Sequence, residues 1–312
     1  MKIHRLLVVA LLFVGLLDGG RAQATPSTVI WIPSVDVQPF LVFHLNSDVY
    51  FRTRSEPSGS MKAPIFMIGP TIGLLPWEKL QLEVGFDLMF QGDTSLDTYP
   101  IYFHGKLGTP EDALFKWSPA LVAGAYNLGV KSGLTTQNIG YAMVGRTLPY
   151  VGRLQVGYFY AHDALFTDEK GEASNHGVLA AWDRTMKEIS PKLWLAVDYQ
   201  GSKSWIGALS FGLAWSFTDA ISMILAYDLY VNRKQIVGAP AGSPAPLVAG
   251  RDTITVQLDI NFARLVKAAP APTPAPAPAP ASAPASSSPV PAPPPASPAS
   301  PASVPATPTS PP

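Results

Sequence analysis

Eleven ionisable side chains recur at alternating positions in segments otherwise built of apolar and small residues: Asp48, Arg52, Glu83, Asp87, Lys106, Arg146, Arg153, Asp183, Asp198, Asp228 and Asp259. In an extended chain, period two puts alternate residues on one face. By that parity the eleven share one face with Gly, Ala, Ser, Asn and Gln. If the face encloses water, the excess of carboxylates over bases predicts a weak preference for cations, because charged linings bias the permeating ion. Asp/Arg pairs that brace neighbouring strands are the second reading, and the two are compatible. The usual enzymatic patterns are weak. Beyond position 24 the histidines are His44, His104, His162 and His176, and none has HExxH-type spacing. His44 and His104 fall on the polar face, His162 and His176 near a connection, and no segment supplies an obvious serine partner. There is no cysteine, so thiolate chemistry, thiolate zinc sites and disulfides are excluded. No catalytic, cofactor-binding or metal-binding residue is expected.

What positions these residues is the chain around them. It has 22 basic and 22 acidic residues, which argues against nucleic acid as a partner held by net charge. Residues 1–24 read as a secretory signal: a basic start at Lys2 and Arg5, an apolar core from Leu6 to Leu17, and small residues at Ala22–Ala24. Twelve apolar residues are too few to span the hydrocarbon core of a bilayer as a helix. Residues 268–312 carry no charge and 18 of the 33 prolines, so they are expected to be a disordered, polyproline-like spacer. The folded part is then 25–267.

In that part the hydrophobic period is two. Twelve segments alternate: 39–53, 64–75, 79–91, 99–107, 118–130, 137–147, 152–163, 176–185, 191–201, 204–217, 221–232 and 251–262. In 79–91 Leu80, Leu82, Val84, Phe86, Leu88 and Phe90 form one face, with Gln81, Glu83, Gly85, Asp87 and Gln91 opposite. In 204–217 Trp205, Leu209, Phe211, Leu213, Trp215 and Phe217 are expected together. The connections tend to alternate between short turns and longer polar loops.

Large side chains along one face of nearly every strand, small and polar ones along the other, and alternating connection lengths predict an all-β fold. It is an antiparallel up-and-down transmembrane β-barrel of about 12 strands. Lipid leaves no backbone group unpaired, so a sheet can span only if it closes. Trp77, Trp117, Tyr150, Trp215 and Phe217 suit an aromatic girdle at the short-turn end; Tyr50, Phe51 and Tyr99 suit one at the other.

Signal, alternating strands and a last strand ending in Phe262 resemble a Gram-negative outer-membrane β-barrel of porin-like, uncharacterised type. "LGTPEDALFKWSPAL", "LAAWDRTM" and "LWLAVDYQG" are similar to stretches of such proteins. The resemblance implies outer-membrane lipid surroundings and the barrel-assembly machinery as a partner, with Phe262 as its assembly signal although 50 residues follow. An even strand number puts both termini in the periplasm, where the tail is expected to meet peptidoglycan or a periplasmic protein. Small inner residues such as Gly85, Ala123, Gly140, Ala142, Gly157 and Ala196 predict a narrow wet channel for passive diffusion of small polar solutes or ions. A filled barrel whose glycines and alanines relieve crowding is the alternative, with a scaffolding role. A surface lipid hydrolase is a third.

Overall fold

The computed structural model describes residues 27–53, 63–162, 165–168, 170–231 and 252–262. The expected signal (1–24), the tail (268–312) and residues 232–251 of the last connection lie outside the described residues. The strands are β1 (Phe43–Arg52), β2 (Ile65–Gly73), β3 (Gln81–Phe90), β4 (Ile101–Thr109), β5 (Ala120–Gly129), β6 (Thr136–Leu148), β7 (Gly152–Tyr160), β8 (His176–Thr185), β9 (Leu193–Gln200), β10 (Ala208–Ser216), β11 (Ile221–Tyr230) and β12 (Thr253–Phe262). Each pairs with its neighbours in sequence, and β12 returns to β1, so the sheet is a closed antiparallel barrel. The closing register runs from Phe43↔Phe262 to Arg52↔Thr253, and the Phe43 and Phe262 rings meet at 5.3 Å. Every expected segment holds one strand, with β4 running two residues past the end of its segment and β6 one residue past each end.

Closure satisfies the ladder of backbone groups, and alternation sorts the side chains. Phe211, Leu213, Leu225, Ile254 and Leu258 face outward and are exposed, while Ser210, Asp228, Thr253, Thr255, Gln257 and Asp259 face inward and are buried. Strands of 8 to 13 residues match the length needed to cross a bilayer when tilted. Connections after β2, β4, β6, β8 and β10 lie at one end; those after the odd strands lie at the other. The connection after β3 holds the short helix α1 (Thr94–Asp97), capped by the Asp93 carboxylate, which accepts from the amides of Ser95 and Leu96. Exposed Trp77, Trp117, Tyr150 and Phe217 mark the short-turn end, and Phe51, Phe66, Phe90, Tyr158 and Tyr160 mark the other.

Three expectations are corrected. Tyr50 belongs to the interior: it is buried, with its ring edge-on to Trp31 at 5.8 Å. Trp205 is not on the outer face with Leu209, because β10 starts at Ala208. It sits buried in the preceding connection, donates its ring N–H to the Leu165 carbonyl and stacks on Phe166. Across β5 and β6 the facing is also opposite to the expected one. The pairs Val122↔Met143 and Tyr126↔Ile139 point inward, which turns Ala123, Gly140, Ala142 and Arg146 to the outer side. A rule of small residues inside fails here because this wall packs against chain inside the barrel and needs bulk.

Candidate site in the barrel interior

The chain before β1 does not stay outside. Residues 27–40 run inside the barrel, where Val29, Ile30, Ile32, Val35 and Val37 are buried in one apolar cluster with inward residues such as Val122, Met143, Trp194 and Ile224. Residues 27–34 form a tight hairpin. Thr28 and Pro33 make an antiparallel bridge, the Val29 amide donates to the Ile32 carbonyl at 2.9 Å, and the Ser34 amide to the Ser27 carbonyl at 3.2 Å. Its tip points toward the long-connection end: the Trp31 ring N–H donates to the Ile206 carbonyl at 3.0 Å, and the ring meets Tyr230 at 5.5 Å.

Barrel side chains hold this segment at three levels. At the tip, Asp198 Oδ2 accepts from the amides of Ile30 (2.8 Å), Trp31 (2.8 Å) and Ile32 (3.2 Å), and Gln257 Nε2 donates to the Ile30 carbonyl at 2.9 Å. The two flanks are joined by Glu83 and Lys106. Glu83 accepts from the Ser27 hydroxyl (3.0 Å) and the Gln38 amide (2.8 Å), while the Lys106 ammonium donates to the carbonyls of Ser27 (3.0 Å) and Ser34 (3.2 Å). Glu83 and Lys106 are themselves 3.8 Å apart. Nearest the short turns, Gln155 accepts from the Val35 amide at 2.9 Å, and Arg153 bridges Asp36 (2.5 Å) and Asp183 (2.9 Å). Asp183 also accepts from Gln155 and from the Trp194 ring N–H. Buried charges are tolerable only when paired and hydrogen-bonded, and here the N-terminal segment supplies many of the partners.

Beside the hairpin a cavity of about 150 Å³ remains. Its wall carries the carboxylates of Asp48, Glu83, Asp87 and Asp259, the imidazoles of His44 and His104, and Lys106, with Trp31, Tyr50, Tyr126 and Tyr141 among the aromatic groups. His44 Nε2 lies 3.1 Å from Asp259 Oδ1. His104 Nδ1 lies 3.0 Å from Asp87 Oδ2, and its Nε2 lies 3.1 Å from the Thr71 hydroxyl. Glycine makes the second arrangement possible. Thr71 pairs with Gly85, and Gly85 with His104, so the two side chains meet above Gly85, where a Cβ would collide with both. A Cβ at Gly69 would likewise strike Asp87 Oδ1.

Carboxylate, imidazole and hydroxyl in that order can pass a proton. Acyl transfer also needs donors for an oxyanion, and the strand amides at Thr71 already serve the ladders to β1 and β3. On the outer surface the His176 ring stacks on Tyr160, and its Nδ1 meets the Tyr158 hydroxyl at 2.5 Å. Among the described residues no group of three or more His, Asp or Glu is arranged to hold a metal.

The eleven ionisable residues therefore divide. Asp48, Glu83, Asp87, Lys106 and Asp259 line the cavity. Arg153, Asp183 and Asp198 serve the inserted segment. Asp228 is fully buried and accepts from the hydroxyls of Thr253 and Thr255 on β12. Arg52 donates to the Ala63 carbonyl near the long-connection end. Arg146 is outside the lumen: it reaches Asp112 and the Ser118 carbonyl, both at 2.9 Å, and covers the Trp117 ring at 4.9 Å, bracing the β4–β5 turn. The sequence reading missed the hairpin. Its one signal is the run "VIWIPSVDV", too apolar for an exposed leader and too irregular for a strand.

No protein-family model and no curated protein matches the chain. Among solved structures, the chain is similar to the NanC porin (12% identity, 70% of this chain and 99% of that one, TM-score 0.41). It is similar to the KdgM porin (6%, 71% and 99%, 0.40) and to outer membrane phospholipase A from Escherichia coli (11%, 74% and 99%, 0.41). Likenesses of this size assign no activity. The class rests on the chain's own geometry: twelve antiparallel strands closed on themselves, with an apolar outer face, make a transmembrane β-barrel.

Proposed function

We propose that the protein is an outer-membrane channel for small polar solutes or ions, weakly cation-preferring, whose lumen is occupied by its own residues 27–40. In this reading the short turns and both termini face the periplasm, and the tail extends there. The observation that carries it is how the segment is held. Polar side chains of the wall grip it through hydrogen bonds and ion pairs that water can replace, and ahead of Phe40, which bridges to Gly73 of β2, it does not pair with the barrel strands. A wall that binds its plug through charged groups is also a wall suited to water and ions once the plug shifts.

The filled interior also favours a second reading, a scaffolding barrel that passes nothing. Single-channel recording in planar bilayers separates the two. The channel reading expects small, infrequent conductance from the parent chain and larger, persistent conductance from Asp198→Ala, which removes the acceptor of three hairpin amides. Silence from both, with folded barrel present in the bilayer, would leave the scaffold.

A further inference from the structure

The geometry points to the cavity beside the hairpin as a binding site for a small organic monocation, an ammonium group carrying a compact aryl or alkyl body. Charge comes first. Four carboxylates face one lysine, and Lys106 is committed to Glu83 and to the Ser27 and Ser34 carbonyls. That leaves Asp48, Asp87 and Asp259 as the acids a ligand meets.

Their burial is the second observation. Asp87 and Asp259 each spend one oxygen on a histidine. Asp87 Oδ1 and Asp259 Oδ2 are buried without a hydrogen-bond partner, as is His44 Nδ1. Asp259 is only 4% exposed. A buried acceptor left bare is unfavourable, and a cation in the cavity stabilises these carboxylates through its charge, which water does only in part.

The remaining wall fits the rest of such a ligand. Trp31, Tyr50 and Tyr126 present ring surface to the cavity, and aromatic faces attract cations. Trp31 is fixed for this by its bond to the Ile206 carbonyl and its edge contacts with Tyr50 and Tyr230. A volume of about 150 Å³ is of the size that accepts a benzene-sized body. Anions meet three carboxylates, and a bare metal ion finds no ligand cluster among the described residues. The site gives the proposed channel a substrate class and in that respect rests on it, but the binding itself does not require transport.

The test is isothermal titration calorimetry on the folded full-length chain in detergent, with benzylammonium, benzyl alcohol and benzoate as probes of nearly one shape. Benzylammonium is expected to bind at least about tenfold tighter than benzyl alcohol, with no binding by benzoate. Asp259→Asn and Asp48→Asn should each weaken the amine about tenfold and leave the alcohol unchanged, while Asp219→Asn in an exposed turn leaves both unchanged. Equal affinity for amine and alcohol, or acid variants that bind the amine like the parent, would overturn the site. If the acid variants do not fold, the amine-to-alcohol ratio of the parent decides alone. Amine binding with silent bilayers would sink the channel and keep the site; conductance with no amine preference would do the reverse.

Discussion

Asp198 and Asp259 point into the same lumen from two walls, and their surroundings differ. One oxygen of Asp198 is saturated by three backbone amides of the hairpin tip. Asp259 has one oxygen on a histidine, and its other oxygen, like the second oxygen of Asp198, is buried without a partner. The wall of β6 to β9 has been completed by the chain's own N-terminal segment, which brings apolar side chains and amide donors together. The wall of β12 and β1 to β4 also holds that segment through Gln257, Glu83 and Lys106, but it keeps Asp259 and Asp87 on imidazoles and leaves space beside them. The same residue type thus performs two tasks: anchoring a backbone segment on one side and orienting an imidazole at the cavity wall on the other. A carboxylate's position on the inner face does not tell which task it has; its partner does.

The largest expected effect breaks the anchored wall. Asp198→Ala leaves three buried amides without their acceptor, a loss on the order of 3 kcal/mol, concentrated on the hairpin because the barrel ladders do not depend on it. Limited proteolysis should then cut within 27–40 while the barrel core stays resistant; an unchanged digestion pattern would mean that Asp198 is not the main anchor. A smaller effect sharpens the other wall. Gly85→Ala places a methyl against His104 and Thr71 and should cost about 1–3 kcal/mol in barrel stability by overpacking. Denaturant unfolding checks it, and the NMR signals of His104 should shift while those of the hairpin do not.

The smallest effect lies below the anchored wall, in the β4–β5 turn. The Arg146 guanidinium, followed by the Trp117 amide, holds the Asp112 carboxyl below its ordinary range. A lowered value in the fold means a contribution present above the ordinary carboxylate range and lost as pH falls through the lowered value. The stability difference between parent and Asp112→Asn should therefore appear near neutral pH, shrink in strong acid and weaken with salt. A difference that grows in acid would contradict the pairing. Deleting 268–312 should change neither wall, so the melting temperature of the barrel should be unaltered.

Much of this fold was legible because a barrel wall repeats one simple rule. Alternation in "DTITVQLDIN" names the inward Thr253, Thr255, Gln257 and Asp259 and the outward Ile254, Val256 and Leu258 without any knowledge of partners. Short turns and longer loops followed from the same pattern. The interior was not legible to the same degree. The hairpin's structure rests on one isolated bridge and on partners far away in sequence: Asp198 is 166 to 168 residues from the amides it holds, and Gln257 is 227 from the carbonyl it meets. No local period encodes such pairings. Arg146 was misplaced for a related reason, since Ile139, Tyr141 and Met143 face inward to pack against a segment whose presence no strand announces.

The central claim is that residues 27–40 occupy the lumen of the closed barrel, and a cysteine pair tests it most directly. The chain has no cysteine of its own. A Cβ at Gly145 would lie 2.8 Å from Val35 Cγ2, close enough for a disulfide between substituted residues. In Val35→Cys/Gly145→Cys, mild oxidation of the protein in native membranes should join the two positions nearly completely. Thiols that stay free and react with a water-soluble maleimide in the folded barrel would show that the segment lies elsewhere.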